Sequence, residues 1–186
     1  HSLNWMKTYT SASLAEDRTT GSNSIRQPLD NLRNAGLIYG NIIYNKAPVM
    51  MHKLVEIMGE EAYQEGIREY LKTYAYGNAT WDDLIAILDA KTEEDLATFS
   101  DVWVNQKGMP HISFTNRCGQ LEIRQRDPLN RGLLWPQSFQ ITFQGAEEST
   151  SVEVNLTNET YAITVPLGPQ AIFPNTDGRG YGLFIP

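Results

Sequence analysis

The chain has 186 residues, of which 41% are hydrophobic and 20% charged, and its 22 acidic residues exceed its 15 basic ones for a net charge of −7. This length corresponds to one large domain or two small ones, and the apolar content excludes a disordered or collagen-like protein. The acidic balance argues against a nucleic-acid binder, and no apolar run is long enough for a membrane span. A single cysteine excludes an intrachain disulfide framework.

Five helices are predicted in the first 108 residues, where apolar side chains recur every three or four positions. Their expected starts are Leu3, Lys46, Glu60, Thr80 and Thr92. The second should run to Met58, with Asn45 as its cap and Pro48 in its first turn, where a missing N–H costs little. The fourth should open with a capping box of Thr80 and Asp83. Side chains expected to be buried on the last three helices are Tyr63, Ile67, Tyr70, Leu71, Tyr74, Leu84, Ile87, Leu88, Leu96, Phe99, Val102 and Trp103.

The pattern changes near Gly108, where glycine can end a helix and Pro110 prevents it from resuming. Beyond this point short alternating stretches separated by turn residues predict seven strands. Their expected ranges are 111–116, 120–126, 138–144, 151–155, 160–165, 170–174 and 180–185. The predicted fold is therefore a multi-domain α + β chain. An all-α helical bundle segment over residues 1–108 is followed by a small, seven-stranded antiparallel, Ig-like β-sandwich over residues 109–186.

Few residue patterns in the chain point to catalysis. The three histidines are His1, His52 and His111, and none has the spacing of a helical metal-binding pair. We interpret His52 as a partly buried residue at the edge of a core and His111 as a packing residue. Cys118 lies before Gly119 at a predicted turn, which favours a structural or surface thiol. From composition and spacing alone, the chain has no complete active site and no metal ligand set.

One tyrosine has a position that could carry chemistry. Tyr44 follows an apolar stretch beginning at Leu37 and comes just before a predicted helix. A phenol at such a place could donate a hydrogen bond to an oxyanion. On spacing alone, an ordinary buried core tyrosine is the better interpretation.

Several motifs in order resemble the aminopeptidase N family of zinc metallopeptidases, the gluzincins. The matching segments are 44–54, 58–63, 66–71, 76–79, 82–84, 99–103 and 106–110, with a weaker likeness at 173–175 and 178–181. Order and spacing agree over about 70 residues. The sequence departs from the family pattern in two places. Ala47 and Pro48 stand where the family usually has glycine after the lysine, and Asn23-Ser24-Ile25 replaces a common His-Pro-Ile.

The resemblance implies a zinc peptidase that removes N-terminal residues from peptides. In the family, a His-Glu-x-x-His motif and a later glutamate hold the zinc, and both precede the tyrosine element. We therefore expect this chain to be the downstream part of such an enzyme, comprising the end of a thermolysin-like catalytic domain and the following sandwich. The chain alone should bind no zinc and be inactive, because the zinc ligands and the other catalytic residues would lie upstream in the same polypeptide.

The resemblance also implies roles for individual residues. Tyr44 matches the family's catalytic tyrosine, whose hydroxyl stabilises the oxyanion of the tetrahedral intermediate, and Tyr39 is a weaker alternative. Lys46 matches a family lysine that we interpret as structural. Residues of the closing motif of the helical domain are Trp103, Gln106, Gly108 and Pro110.

Two other functions remain open at this point. One is a non-catalytic relative that serves as an interaction scaffold. The other is a binding module in which the sandwich recognises a glycan or a protein through Trp135, Tyr161 or Tyr181, although core packing is the better interpretation for most of them. Separately, we expect exposed apolar surface around Tyr39, Ile42 and Ile43 to cause some self-association of the chain.

Overall fold

The computed structural model describes residues 6–29, 31, 33, 36, 38–166 and 168–185. Leu3, where a helix is predicted to begin, and Leu37, where the apolar stretch before Tyr44 begins, lie outside these residues. The chain forms two compact units. Residues 1–22 and 108–186 make up the sandwich unit, and residues 23–107 make up the helical unit. The chain thus crosses between the units twice, and the sequence pattern indicated a change only near the second crossing.

Five α-helices are present among the described residues, as the sequence predicted. The first, α1, spans Ser11–Asp17 in the sandwich unit and continues a short π-helical segment, Met6–Thr10. The helical unit contains a π-helical turn, Ile42–Lys46, followed by α2 (Ala47–Met58), α3 (Glu60–Thr73), α4 (Trp81–Asp89) and α5 (Leu96–Trp103). None of the helices in the described part of the chain is long and apolar enough to cross a membrane.

Of the five helices among the described residues, α4 and α5 begin with a side-chain cap. The predicted capping box is confirmed, since the amide of Asp83 donates to Thr80 Oγ1 at 3.3 Å and the amide of Thr80 donates to Asp83 Oδ2 at 2.8 Å. Helix α5 begins later than expected, because Asp95 rather than Thr92 accepts from a backbone amide of its first turn. The prediction for Asn45 is wrong: its side-chain amide donates instead to Asn41 Oδ1, at 2.7 Å.

The helical unit buries one face each of α2, α4 and α5. Its buried apolar side chains include Val49, Met50, Leu54, Leu84, Ile85, Leu88, Leu96, Phe99, Val102 and Trp103. Helix α3 approaches α4 closely through Gly66, where an added Cβ would lie 2.6 Å from Leu88 Cδ2. The predicted apolar face of α3 is only partly buried, and Leu71 is exposed, which corrects the expectation for that residue.

All seven predicted strands are present, with ends shifted by up to three residues. They are β1 (His111–Arg117), β2 (Gln120–Arg126), β3 (Gln137–Gln144), β4 (Ser149–Leu156), β5 (Thr160–Thr164), β6 (Ala171–Pro174) and β7 (Leu183–Ile185). A four-stranded sheet has the order β5-β2-β1-β7 and a three-stranded sheet the order β4-β3-β6. The alternating inward side chains of β1–β5 form the core between them. The fold class predicted from the sequence is therefore confirmed.

One strand pair departs from the expected antiparallel arrangement. Strand β7 pairs with β1 in parallel, with His111 opposite Leu183. The approach is close just before β7, where a Cβ on Gly182 would lie 2.8 Å from the carbonyl oxygen of Pro110, and the Leu183 amide donates to that same oxygen at 3.0 Å. A glycine at position 182 thus permits the C-terminal strand to join the sheet beside β1.

Candidate functional site

Tyr44 lies in the π-helical turn that precedes α2. The amide of Ala47 donates to the carbonyl of Ile42, five residues earlier, instead of four as in an α-helix. Pro48 provides the physical reason. It has no N–H to donate to the Tyr44 carbonyl, and its ring would crowd that oxygen in a regular α-helix. The backbone widens at this place, and the turn is held on its N-terminal side by the Tyr44 amide, which donates to the Gly40 carbonyl at 2.9 Å.

The side chain of Tyr44 is accessible. Tyr44 is 59% exposed, so the interpretation of a buried core tyrosine is wrong. Its ring lies against that of Tyr39, with the centroids 5.8 Å apart and the planes tilted by 45°. Tyr39 is itself 61% exposed. Two neighbouring phenols are therefore accessible on the surface of the helical unit.

Two buried side chains flank Tyr44 in the same turn. Ile42 is 2% exposed and Lys46 is fully buried. A buried ammonium group requires hydrogen-bond partners within the fold, which supports the structural interpretation of Lys46. Because Ile42 points into the core, the apolar surface expected around residues 39–43 is smaller than predicted, with Ile43 half-buried and Tyr39 exposed.

Two of the three histidines, His52 and His111, lie among the described residues, and His1 lies outside them. His52 is exposed on α2, with Nδ1 3.3 Å from Glu56 Oε1, which corrects its interpretation as a residue at the edge of the core. His111 is half-buried at the start of β1, and its pKa is lowered by burial and by the nearby Arg126 guanidinium. In the described ranges, no group of three or more His, Cys, Asp or Glu side chains could hold a metal ion. The described residues therefore do not fit a zinc site.

The remaining candidate residues have structural positions. Trp103 is fully buried, and Lys53 Nζ lies 5.6 Å from the centroid of its ring, a cation–π distance. Cys118 is exposed in the tight turn between β1 and β2. Trp135 and Tyr181 are fully buried and Tyr161 is half-buried, so two of the three aromatics considered for a binding module belong to the interior of the sandwich unit.

Sequence reasoning missed two features. The π-helical turn could have been suspected from the proline four residues after Tyr44, since that spacing removes one α-helical hydrogen bond. The second feature is the buried carboxylate of Asp17 in α1. The signal for Asp17 was weak, because an aspartate near a helix end is ordinarily solvated, and its partners lie as far away in sequence as Gly108 and Tyr181.

Comparison with known proteins gives the family of the chain. Residues 2–103 match the model of the peptidase family M1 domain. The match covers more than half of the chain, and the chain belongs to this family.

Relatives are found in plants, yeast and bacteria. The chain is 34% identical to aminopeptidase M1 of Arabidopsis thaliana over 51% of its length and 11% of the relative's. It is 23% identical to the alanine/arginine aminopeptidase of Saccharomyces cerevisiae over 91% of its length and 20% of the relative's. It is 24% identical to aminopeptidase N of Lactobacillus delbrueckii over 78% of its length and 18% of the relative's. The chain thus spans at most about a fifth of these relatives.

Proposed function

We propose that this chain contributes the oxyanion-stabilising tyrosine, Tyr44, to a zinc-dependent aminopeptidase that removes N-terminal residues from peptides. The relatives named above are aminopeptidases, and the order of motifs around Tyr44 follows the family pattern. The observation that carries the proposal is the exposed position of Tyr44 in a π-helical turn, because such turns occur frequently at functional sites.

The chemistry asked of Tyr44 is hydrogen-bond donation. When a peptide carbonyl is attacked, its oxygen gains negative charge, and a phenol O–H aimed at that oxygen binds the transition state more strongly than the substrate. Only such differential binding accelerates the reaction. Tyr44 can do this only if its hydroxyl is accessible and its backbone is held in place. The exposure of its ring and the hydrogen bond from its amide to the Gly40 carbonyl support both conditions.

Three neighbouring side chains support a fixed position for the phenol. Ile42 and Lys46 are buried on either side of Tyr44, which anchors the turn. The ring of Tyr39 packs on the ring of Tyr44 and limits the side-chain orientations available to it. In this proposal Tyr39 is a positioning residue for the Tyr44 ring, and Tyr44 is the catalytic residue.

The zinc of the proposed enzyme would be held by residues other than those that the structure describes, which offer no ligand set. We therefore expect the isolated chain to bind no zinc stoichiometrically and to cleave no aminoacyl substrate. Peptides would be the substrates of the complete polypeptide, with the upstream catalytic residues as the partners of Tyr44.

The test uses a polypeptide extended upstream in its natural reading frame. Zinc content and hydrolysis of aminoacyl anilides would be measured for the unmodified protein and for Tyr44→Phe, which removes the hydroxyl and keeps the ring. We expect a loss of about 100-fold or more in kcat with one zinc per chain retained. Tyr76→Phe is the matched control, because Tyr76 is a fully exposed tyrosine of the same unit, and it should leave kcat unchanged.

Two outcomes would contradict the proposal in different ways. If zinc is bound and peptides are cleaved but Tyr44→Phe changes kcat less than threefold, the tyrosine has no catalytic role. If the extended polypeptide binds no zinc and cleaves nothing, the protein is a non-catalytic scaffold of the family.

The exposed ring pair also supports a proposal about the isolated chain. Tyr39 and Tyr44 form an aromatic surface that a second copy could cover. We expect light scattering to detect self-association that rises with concentration and weakens in Tyr39→Ser. A monodisperse monomer at every concentration would exclude it.

A further inference from the structure

A buried carboxylate at the end of α1 collects hydrogen bonds from distant parts of the chain. Asp17 is 3% exposed. Its Oδ1 accepts from Ser22 Oγ at 2.6 Å and from the Gly108 amide at 3.2 Å, and its Oδ2 accepts from the Tyr181 hydroxyl at 3.2 Å. Tyr181 is fully buried. All four residues belong to the sandwich unit.

The positions of two of these donors in the chain are informative. Ser22 is the last residue of the sandwich unit before the chain enters the helical unit, and Gly108 is the first residue after it returns. Residues 23–107 are therefore an insertion between two points that bond to the same oxygen of one side chain. The exit and the return of the chain meet at Asp17.

The physical chemistry makes these bonds interdependent. A carboxylate is costly to bury unless several donors hydrogen-bond to it. When one donor is lost, the remaining hydrogen bonds offset less of the cost of burial. Burial, and then the nearby Asp17 carboxylate, raise the pKa of Tyr181 well above its usual value, so the phenol stays protonated and remains a donor. The donors come from segments that are 5, 91 and 164 residues away from Asp17 along the chain.

We propose that Asp17 is a clasp that couples the two chain crossings, so that the connections at Ser22 and Gly108 loosen together and not separately. The clasp is a conformational device of the sandwich unit. It does not depend on the proposed peptidase function, because it involves neither Tyr44 nor a metal. Loosening either connection breaks part of the same hydrogen-bond cluster and thereby weakens the hold on the other.

Hydrogen exchange followed by mass spectrometry on the full chain tests the coupling. Ser22→Ala removes one donor at the first crossing only. The clasp predicts faster amide exchange in peptides covering residues 20–24 and also in those covering residues 105–109, by about tenfold in each. Tyr181→Phe, which keeps the ring and removes the third donor, should accelerate both segments as well. Glu16→Gln, a half-buried neighbour on α1, should change neither.

Asp17→Asn provides the strongest perturbation with the shape retained, and it should accelerate both segments by more than Ser22→Ala does. Slow exchange in β2 and β3 would show in the same data that the sandwich core is intact. If Ser22→Ala affects residues 20–24 alone, or if Asp17→Asn leaves either segment unchanged, the crossings are independent and the clasp is excluded. Should Asp17→Asn fail to fold, the Ser22→Ala and Tyr181→Phe results decide alone by the same criterion.

Discussion

The two units of this chain bury their side chains in different ways. In the sandwich unit the inward residues of β1–β5 form one closed core, and β3 alternates between more and less buried positions along its whole length. In the helical unit, α3 buries only Gly66 among its fourteen residues, and its apolar side chains remain partly or fully exposed. The exposed pair Tyr39 and Tyr44 lies in this second unit.

The difference shows where each unit can tolerate change. A sheet with one inward face leaves no alternative for its core residues, since every second side chain must fit the opposing sheet. Helix α3 comes close to α4 at Gly66 and leaves most of its other side chains accessible. Residues that must meet a ligand are more easily placed in the second kind of environment. Substitutions in the two units should accordingly change the free energy of unfolding by different amounts.

The largest effect is expected from Phe139→Ala in β3. Phe139 is fully buried and its ring meets that of Phe184 edge-on, with the centroids 5.2 Å apart. Truncation leaves a cavity, and we expect a loss of about 3–5 kcal/mol in the free energy of unfolding, measured by hydrogen exchange of the β3 amides. Phe173→Ala, at a half-exposed phenylalanine of β6, is the control and should cost much less. Equal losses would contradict a closed core.

An intermediate effect, with a pH dependence, is expected from Asp127→Asn in the loop after β2. The Asp127 carboxylate accepts from the Leu129 amide at 3.0 Å and from the Arg131 amide at 2.6 Å, and it pairs with the Arg131 guanidinium at 3.0 Å. Burial by itself opposes ionisation, but the Arg131 guanidinium and these amides together lower the pKa of Asp127 below its usual value. A hydrogen bond to a charged group contributes about 1.5–3 kcal/mol to stability. The free energy of unfolding at neutral pH should therefore fall by an amount near that range in Asp127→Asn.

The sign of the pH effect follows from the direction of the shift. The pKa of Asp127 is lower in the folded chain than in the unfolded chain. Between these two pKa values the unfolded chain binds more protons, so stability rises with pH there. The contribution of Asp127 is complete above pH values of about 4 and is lost as the pH falls through its folded pKa. Asp127→Asn should therefore flatten the acid limb of the stability curve, whereas the exposed Glu147→Gln should leave it unchanged. An unaltered acid limb in Asp127→Asn would show that Asp127 does not cause the loss of stability at low pH.

The smallest effect is expected from Gly66→Ala in α3. Alanine is favoured over glycine in a helix by about 1 kcal/mol, but its Cβ would lie 2.6 Å from Leu88 Cδ2 in the core, and overpacking costs about 1–3 kcal/mol. We expect a net loss of about 1 kcal/mol by urea denaturation. The control Leu71→Ala, at an exposed position of the same helix, should change stability by less than about 0.5 kcal/mol. A stabilised Gly66→Ala would show that α3 can move away from α4 without cost.

The candidate site could be proposed from the sequence because its motif is local. A tyrosine, a lysine and the start of a helix follow one another within a few residues around Tyr44. Exposure of the phenol could not be predicted in the same way, because it depends on whether Ile42 or Tyr44 turns toward the core. That choice follows from the π-helical turn, which rotates the residues relative to a regular helix.

The sequence by itself determined the approximate places of the five helices and seven strands and the Thr80–Asp83 capping box, since alternation and capping act between residues two to four apart. Tertiary structure alone decided the parallel pairing of β7 with β1, the exposure of Leu71 and the meeting of Ser22, Gly108 and Tyr181 at Asp17. These contacts join residues far apart along the chain, and no local pattern records them. Their formation depends on the packing of whole sheets and helices, which determines the groups that are removed from water together.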